Sequence, residues 1–120
     1  MTRKPKIMVV EDQMLIAYEL VELLEAHNFE VVGPFNSVAE AKAGIKATPP
    51  DAALLDINLG GQETSEPLAD LLMQMKLPFA FLSGYRSAGR LAQRFDAVNL
   101  VRKPAREDKL ISLASSLTAQ

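Results

Sequence analysis

Short apolar runs that stop abruptly at polar residues alternate with segments of helical periodicity, and this alternation constrains the fold more than any other feature of the chain. Ile7 to Val10 is a continuous, β-branched-rich run of strand length that ends at Glu11-Asp12. From Gln13 to His27, Ile16, Leu20, Leu23 and Leu24 share one helical face, with Glu19, Glu22 and Glu25 between them. A second short strand covers Glu30 to Pro34. Ser37 and Glu40 then have capping-box spacing for a helix through about Lys46, which Pro49-Pro50 stops. Ala52 to Leu55 is again apolar and terminates at Asp56, followed by a Gly60-Gly61 loop. The third helix has Pro67 in its first turn and Leu68, Leu71, Leu72 and Met75 on one face. Pro78 to Leu82 forms a fourth strand running into Ser83-Gly84, and Ala88, Leu91, Ala92 and Phe95 mark another helix. Val98 to Val101 forms a fifth strand ending at Arg102-Lys103-Pro104, and Leu110, Leu113, Ala114 and Leu117 stripe the last helix.

Five strands alternating with five helices predict an α/β fold: a parallel sheet covered by helices on both faces. Of the two common doubly wound arrangements, five strands favour the flavodoxin-like order 2-1-3-4-5 over the six-stranded dinucleotide fold. With 120 residues, 48% of them hydrophobic, the chain can bury a core without disulfides or structural metals, so one domain over residues 1–120 is expected. It contains no cysteine, which excludes thiol catalysis and zinc-thiolate or iron–sulfur sites and suits a reducing cytoplasm.

In such sheets the binding crevice lies beyond the carboxyl ends of the strands. Glu11 and Asp12 end the first strand, Asp56 the third, Ser83 the fourth and Lys103 the fifth, so the topology gathers them at one edge. Three carboxylates brought together repel one another unless a cation offsets their charge. Oxygen donors without His or Cys suit a hard ion, and magnesium fits best because it takes one or two carboxylates and shares its shell with water and phosphate. The backbone carbonyl of Asn58 is placed to complete that shell. Asp56, on the central strand, is positioned to attack phosphorus, with Lys103 as a point charge and Ser83 as a hydroxyl donor.

These residues, in this order, resemble the receiver domain of bacterial two-component response regulators, over essentially the whole chain. The resemblance implies phosphorylation of Asp56 by a sensor histidine kinase or histidine phosphotransferase, magnesium on Glu11, Asp12, Asp56 and the Asn58 carbonyl, and phosphoryl contacts from Ser83 and Lys103-Pro104. It implies a phosphoacceptor with at most weak self-phosphorylation and self-dephosphorylation, not an enzyme. Most receivers carry Met-Pro shortly after the phosphorylated Asp, whereas this chain reads Asp56-Ile-Asn-Leu-Gly-Gly61. They carry Phe or Tyr where this chain has Leu100. Pro78-Phe-Ala-Phe-Leu-Ser-Gly-Tyr85 is similar to the Pro-Phe-x-Phe-Ala-Thr-Gly-Tyr signature of the alphaproteobacterial FATGUY subgroup. Leu100 has no ring to rotate, so the signal is expected to be read through Gly84, Tyr85 and the helix that follows.

Simpler roles stand beside these. Asp12 alone suits a helix cap, and His27 suits the last carbonyls of its helix. Arg86, Arg90 and Arg94 recur every four residues, as a solvated face would or as a docking surface for an acidic partner. A formal charge of −2 gives no general attraction to nucleic acid or anionic membrane. No apolar run approaches the roughly 18 residues of a membrane span, and the basic start is not followed by a signal core. The expectation is a cytoplasmic, monomeric, single-domain response regulator without an output domain. It would act in a phosphorelay, as a phosphate sink or as a direct regulator of a kinase. A small aspartyl-phosphate phosphatase is the alternative from another class. Such an enzyme wants a second acid two residues after its nucleophile, and that position holds Asn58.

Overall fold

The computed structural model describes residues 3–60, 63–83, 99–102 and 106–119, with the backbone alone for Ser83, Asn99, Leu100 and Arg102. The helix expected around Ala88 to Phe95, and the roles expected of Gly84, Tyr85, Arg86, Arg90, Arg94, Lys103 and Pro104, lie outside the described residues. Five strands, β1 (Lys6–Val10), β2 (Glu30–Phe35), β3 (Ala52–Asp56), β4 (Phe79–Ser83) and β5 (Asn99–Arg102), form one sheet in the order β2-β1-β3-β4-β5. Every pairing is parallel. The flavodoxin-like order expected from the sequence is the one observed.

The continuous apolar runs are explained by helices on both sides of the sheet. Side chains alternate between faces along a strand. Met8, Val10, Ala53, Leu55, Phe79 and Phe81 accordingly pack with residues of α2 (Val38–Ala47) and α3 (Glu66–Gln74). Their neighbours Ile7, Val9, Ala52, Leu54, Ala80, Leu82 and Val101 pack with α1 (Met14–Ala26) and α4 (Glu107–Thr118). Helix α2 lies so close to β2 that a Cβ on Gly44 would overlap the Phe35 ring, and only glycine permits that approach.

Helix ends follow local chemistry. Ser37 caps α2, its side chain accepting from Glu40 N at 3.2 Å. His27 caps α1, with its Nδ1 3.0 Å from Leu23 O, as its position near the helix end suggested. Met75 departs from the expected helical stripe. Helix α3 stops at Gln74, Lys76 takes a left-handed φ of 59°, and Met75 turns outward to 42% exposure. Among the described residues, no helix is long and apolar enough to cross a membrane.

Candidate metal and phosphoryl site

The carboxyl ends of the central strands bring three acids together. Glu11 follows β1 directly, Asp12 is next, and Asp56 closes β3, which is hydrogen-bonded to β1. Carboxylate oxygens of Glu11, Asp12 and Asp56 all lie within 4.8 Å of one another. Glu11 and Asp56 are buried, at 1% and 6% exposure, while Asp12 is half-buried at the rim. At that separation, with an effective dielectric near 20, each pair of full charges repels by about 3 kcal/mol. A surface patch of acids would spread apart; here strand ends and burial hold them together. Three anionic oxygen donors of this kind fit a hard divalent cation such as magnesium.

Asp12 does not serve as the cap of α1. The N-cap is Gln13, which makes no capping bond through its side chain, and Gln13 N instead donates to Glu11 Oε2 at 3.2 Å. That hydrogen bond orients Glu11 and leaves Asp12 directed to the acidic group.

The segment after Asp56 is a miniature hairpin where the sequence suggested only a glycine loop. Asn58 and Thr64 form an antiparallel bridge, flanked by Leu59 N to Glu63 O at 3.0 Å and Ser65 N to Ile57 O at 2.9 Å. In this pattern the paired residues direct their own N–H and C=O groups away from each other. The Asn58 carbonyl therefore faces the outer edge of the hairpin. Ile57 and Leu59 anchor the hairpin in the core. Gly60 has a φ of +93°, and a Cβ there would lie 3.3 Å from Asp12 Oδ2, so glycine lets the loop close over the acidic group. Sequence reading missed this role, although Ile57 and Leu59 alternate with polar residues ahead of Gly60-Gly61, which is a hairpin pattern.

The other sequence-predicted residues are placed by register. Asp56 pairs with Leu82, and Ser83 with Arg102, so the Ser83 backbone ends β4 one residue beyond the partner of Asp56. Leu100 pairs with Phe81. Beside the acids, the first turns of α1 expose Met14 (46%), Leu15 (73%) and Tyr18 (55%).

Residues 7–115, which carry the parallel 2-1-3-4-5 sheet and the carboxylate cluster at its carboxyl edge, match the model of the response regulator receiver domain. The chain belongs to that family. It is 33% identical over 109 residues to the sensory transduction protein LytT of Bacillus cereus, a match covering 88% of this chain and 44% of LytT. The solution structure of SdrG from Sphingomonas melonis Fr1 is 35% identical, with a TM-score of 0.82 and 98% of each chain covered. The receiver domain of NtrX from Brucella abortus is 26% identical, with a TM-score of 0.83, covering 95% of this chain and 98% of that one. The chain spans less than half the length of the curated relatives it matches.

Proposed function

We propose that this chain accepts a phosphoryl group on Asp56 from the phosphohistidine of a sensor histidine kinase or histidine phosphotransferase, with magnesium held by Glu11, Asp12, Asp56 and the Asn58 carbonyl. The observation that carries this reading is the convergence of three carboxylates within 4.8 Å at the end of the central strands. An Asp56 oxygen attacks phosphorus, the new O–P bond forms as the donor's N–P bond breaks, and the electron pair returns to the donor imidazole. Glu11, Asp12 and Asp56 would hold the magnesium, which would supply positive charge to offset that of the phosphoryl oxygens. Glu11, held by Gln13 N, and Asp12, packed beneath Gly60, keep their oxygens fixed toward the site. Ser83, the last residue of β4, and Lys103, next in sequence after β5, are the proposed phosphoryl contacts. The resemblance of Pro78–Tyr85 to the FATGUY signature, with Leu82-Ser83 in place of Ala-Thr, supports that subgroup and an output through protein contacts at Gly84 and Tyr85. A role as relay, sink or kinase regulator belongs to the same reading.

Asp12→Asn tests the metal assignment. It removes one anionic ligand at the rim while leaving the buried pair and the core. The magnesium concentration for half-maximal phosphorylation by a small phosphodonor should rise by at least the ~10–100-fold that loss of an outer-shell partner costs a metal site. A chelator should stop labelling of both proteins. An unchanged magnesium midpoint would remove Asp12 from the ligand set.

The donor needs a surface to rest on while its phosphorus meets Asp56. Met14, Leu15 and Tyr18 form an exposed apolar patch beginning two residues after Asp12, where such a protein must cover the site. Leu15→Ala should slow transfer from a phosphorylated protein donor about tenfold. Labelling by the small phosphodonor should stay unchanged. Equal loss with both donors would show that Leu15 acts on the site itself and not on docking.

A further inference from the structure

The hairpin that carries Asn58 and Gly60 also touches a helix on the far side of the loop. Glu63 Oε1 accepts a hydrogen bond from Val38 N at 3.3 Å. Val38 is the first residue of α2, and its N–H is one of the four that the helix cannot satisfy internally. The other capping contacts of this terminus are local: Ser37 Oγ accepts from Glu40 N at 3.2 Å, and Glu40 Oε1 accepts from Asn36 N at 3.4 Å. Glu63 is distant in sequence and sits on the same short hairpin as the proposed metal-shell carbonyl. Its backbone closes that hairpin, with Glu63 N donating to Gly60 O and Glu63 O accepting from Leu59 N, both at 3.0 Å. One residue therefore fastens the loop internally through its backbone and externally through its carboxylate, at the positive end of the α2 dipole.

We infer that Glu63 is a positioning residue: by docking the hairpin on the α2 N-terminus it holds Asn58 and Gly60 against the acidic group and couples metal occupancy to the first turn of α2. The inference rests on the proposed magnesium site. Coupling of this kind is reciprocal. A cation that orders the Asn58 and Gly60 end of the hairpin strengthens the Glu63 contact on Val38, and loss of that contact weakens the cation. A charged group at a helix end supports a change of about two- to fivefold in an equilibrium.

The test compares wild type, Glu63→Ala and Glu63→Gln by amide hydrogen exchange and by magnesium titration followed through backbone amide resonances. Magnesium should slow exchange of Val38 N–H in the wild type about two- to fivefold. In Glu63→Ala the Val38 amide should exchange faster without metal and lose its magnesium response, while the Glu40 amide, capped by Ser37, is unaffected. The magnesium midpoint should rise about two- to fivefold, with Glu63→Gln intermediate because it keeps an acceptor oxygen without the charge. A Val38 amide that answers magnesium equally in wild type and Glu63→Ala, with the same midpoint, overturns the coupling alone. A wild-type chain indifferent to magnesium overturns the metal site and this inference together.

Discussion

Asp56→Asn is expected to abolish covalent phosphorylation at every magnesium concentration, while the protein keeps its fold. The carboxamide has nearly the shape of the carboxylate but lacks its nucleophilic charge, so no O–P bond forms. The substitution also removes one of three mutually repelling carboxylates, whose pairwise repulsion is about 3 kcal/mol at the observed spacing. Loss of that repulsion offsets the loss of whatever Asp56 holds, and the melting temperature should stay within a few degrees. Circular dichroism and intact mass after incubation with a small phosphodonor check both halves. The contrast with Asp12→Asn is diagnostic: raising magnesium should restore labelling there, and should restore nothing when the acceptor itself is gone. An adduct that survives Asp56→Asn would mean that another side chain is the nucleophile.

The largest effect on stability is expected from Phe81→Ala, at about 3–5 kcal/mol. Phe81 is 1% exposed in β4, and its ring meets Phe79 edge-on, with centroids 5.6 Å apart and planes at 83°. It belongs to the buried cluster that joins the sheet to the helices on this face, with Val10, Leu55, Leu68 and Leu72 among the members, so its removal leaves a gap in that cluster. The backbone of the neighbouring strand cannot close into the space, because Leu55 is held in register opposite Phe81 by the sheet. Against a typical total of about 5–15 kcal/mol, the loss should bring the urea midpoint down by about a fifth or more. A shift below about 1 kcal/mol would mean that the core closes around the gap, contrary to the packing described.

The sheet was legible because strands buried on both faces carry continuous apolar runs: Ile7–Val10, Ala52–Leu55 and Phe79–Leu82 could hardly be anything else in a chain with this alternation. Strand ends were legible for the same reason, since Glu11, Asp12 and Asp56 interrupt those runs. What the runs do not encode is depth. Nothing in the sequence distinguishes Glu11, buried to 1%, from the half-buried Asp12 beside it. Asp12 at a strand-to-helix junction suits a helix cap equally well by sequence, yet the cap is Gln13. Met75 fitted the α3 stripe by spacing alone, and the left-handed turn at Lys76 that exposes it has no glycine to announce it. The hairpin from Ile57 to Ser65 was hidden by its brevity. Its alternation of Ile57 and Leu59 ahead of Gly60-Gly61 is a short hairpin signal easily passed over beside the longer runs, and the contact from Glu63 to Val38 joins positions that periodicity never links.

The central claim is that Asp56 is the phosphoacceptor of a magnesium-dependent receiver, and mapping the adduct tests it most directly. The wild-type chain is incubated with a small phosphodonor with and without magnesium, the acyl phosphate is trapped by borohydride reduction, and the modified residue is located by peptide mass spectrometry. The account predicts a base-labile adduct that requires magnesium and lies on Asp56 alone. A modification formed equally without the metal, or found on any other residue, would contradict it.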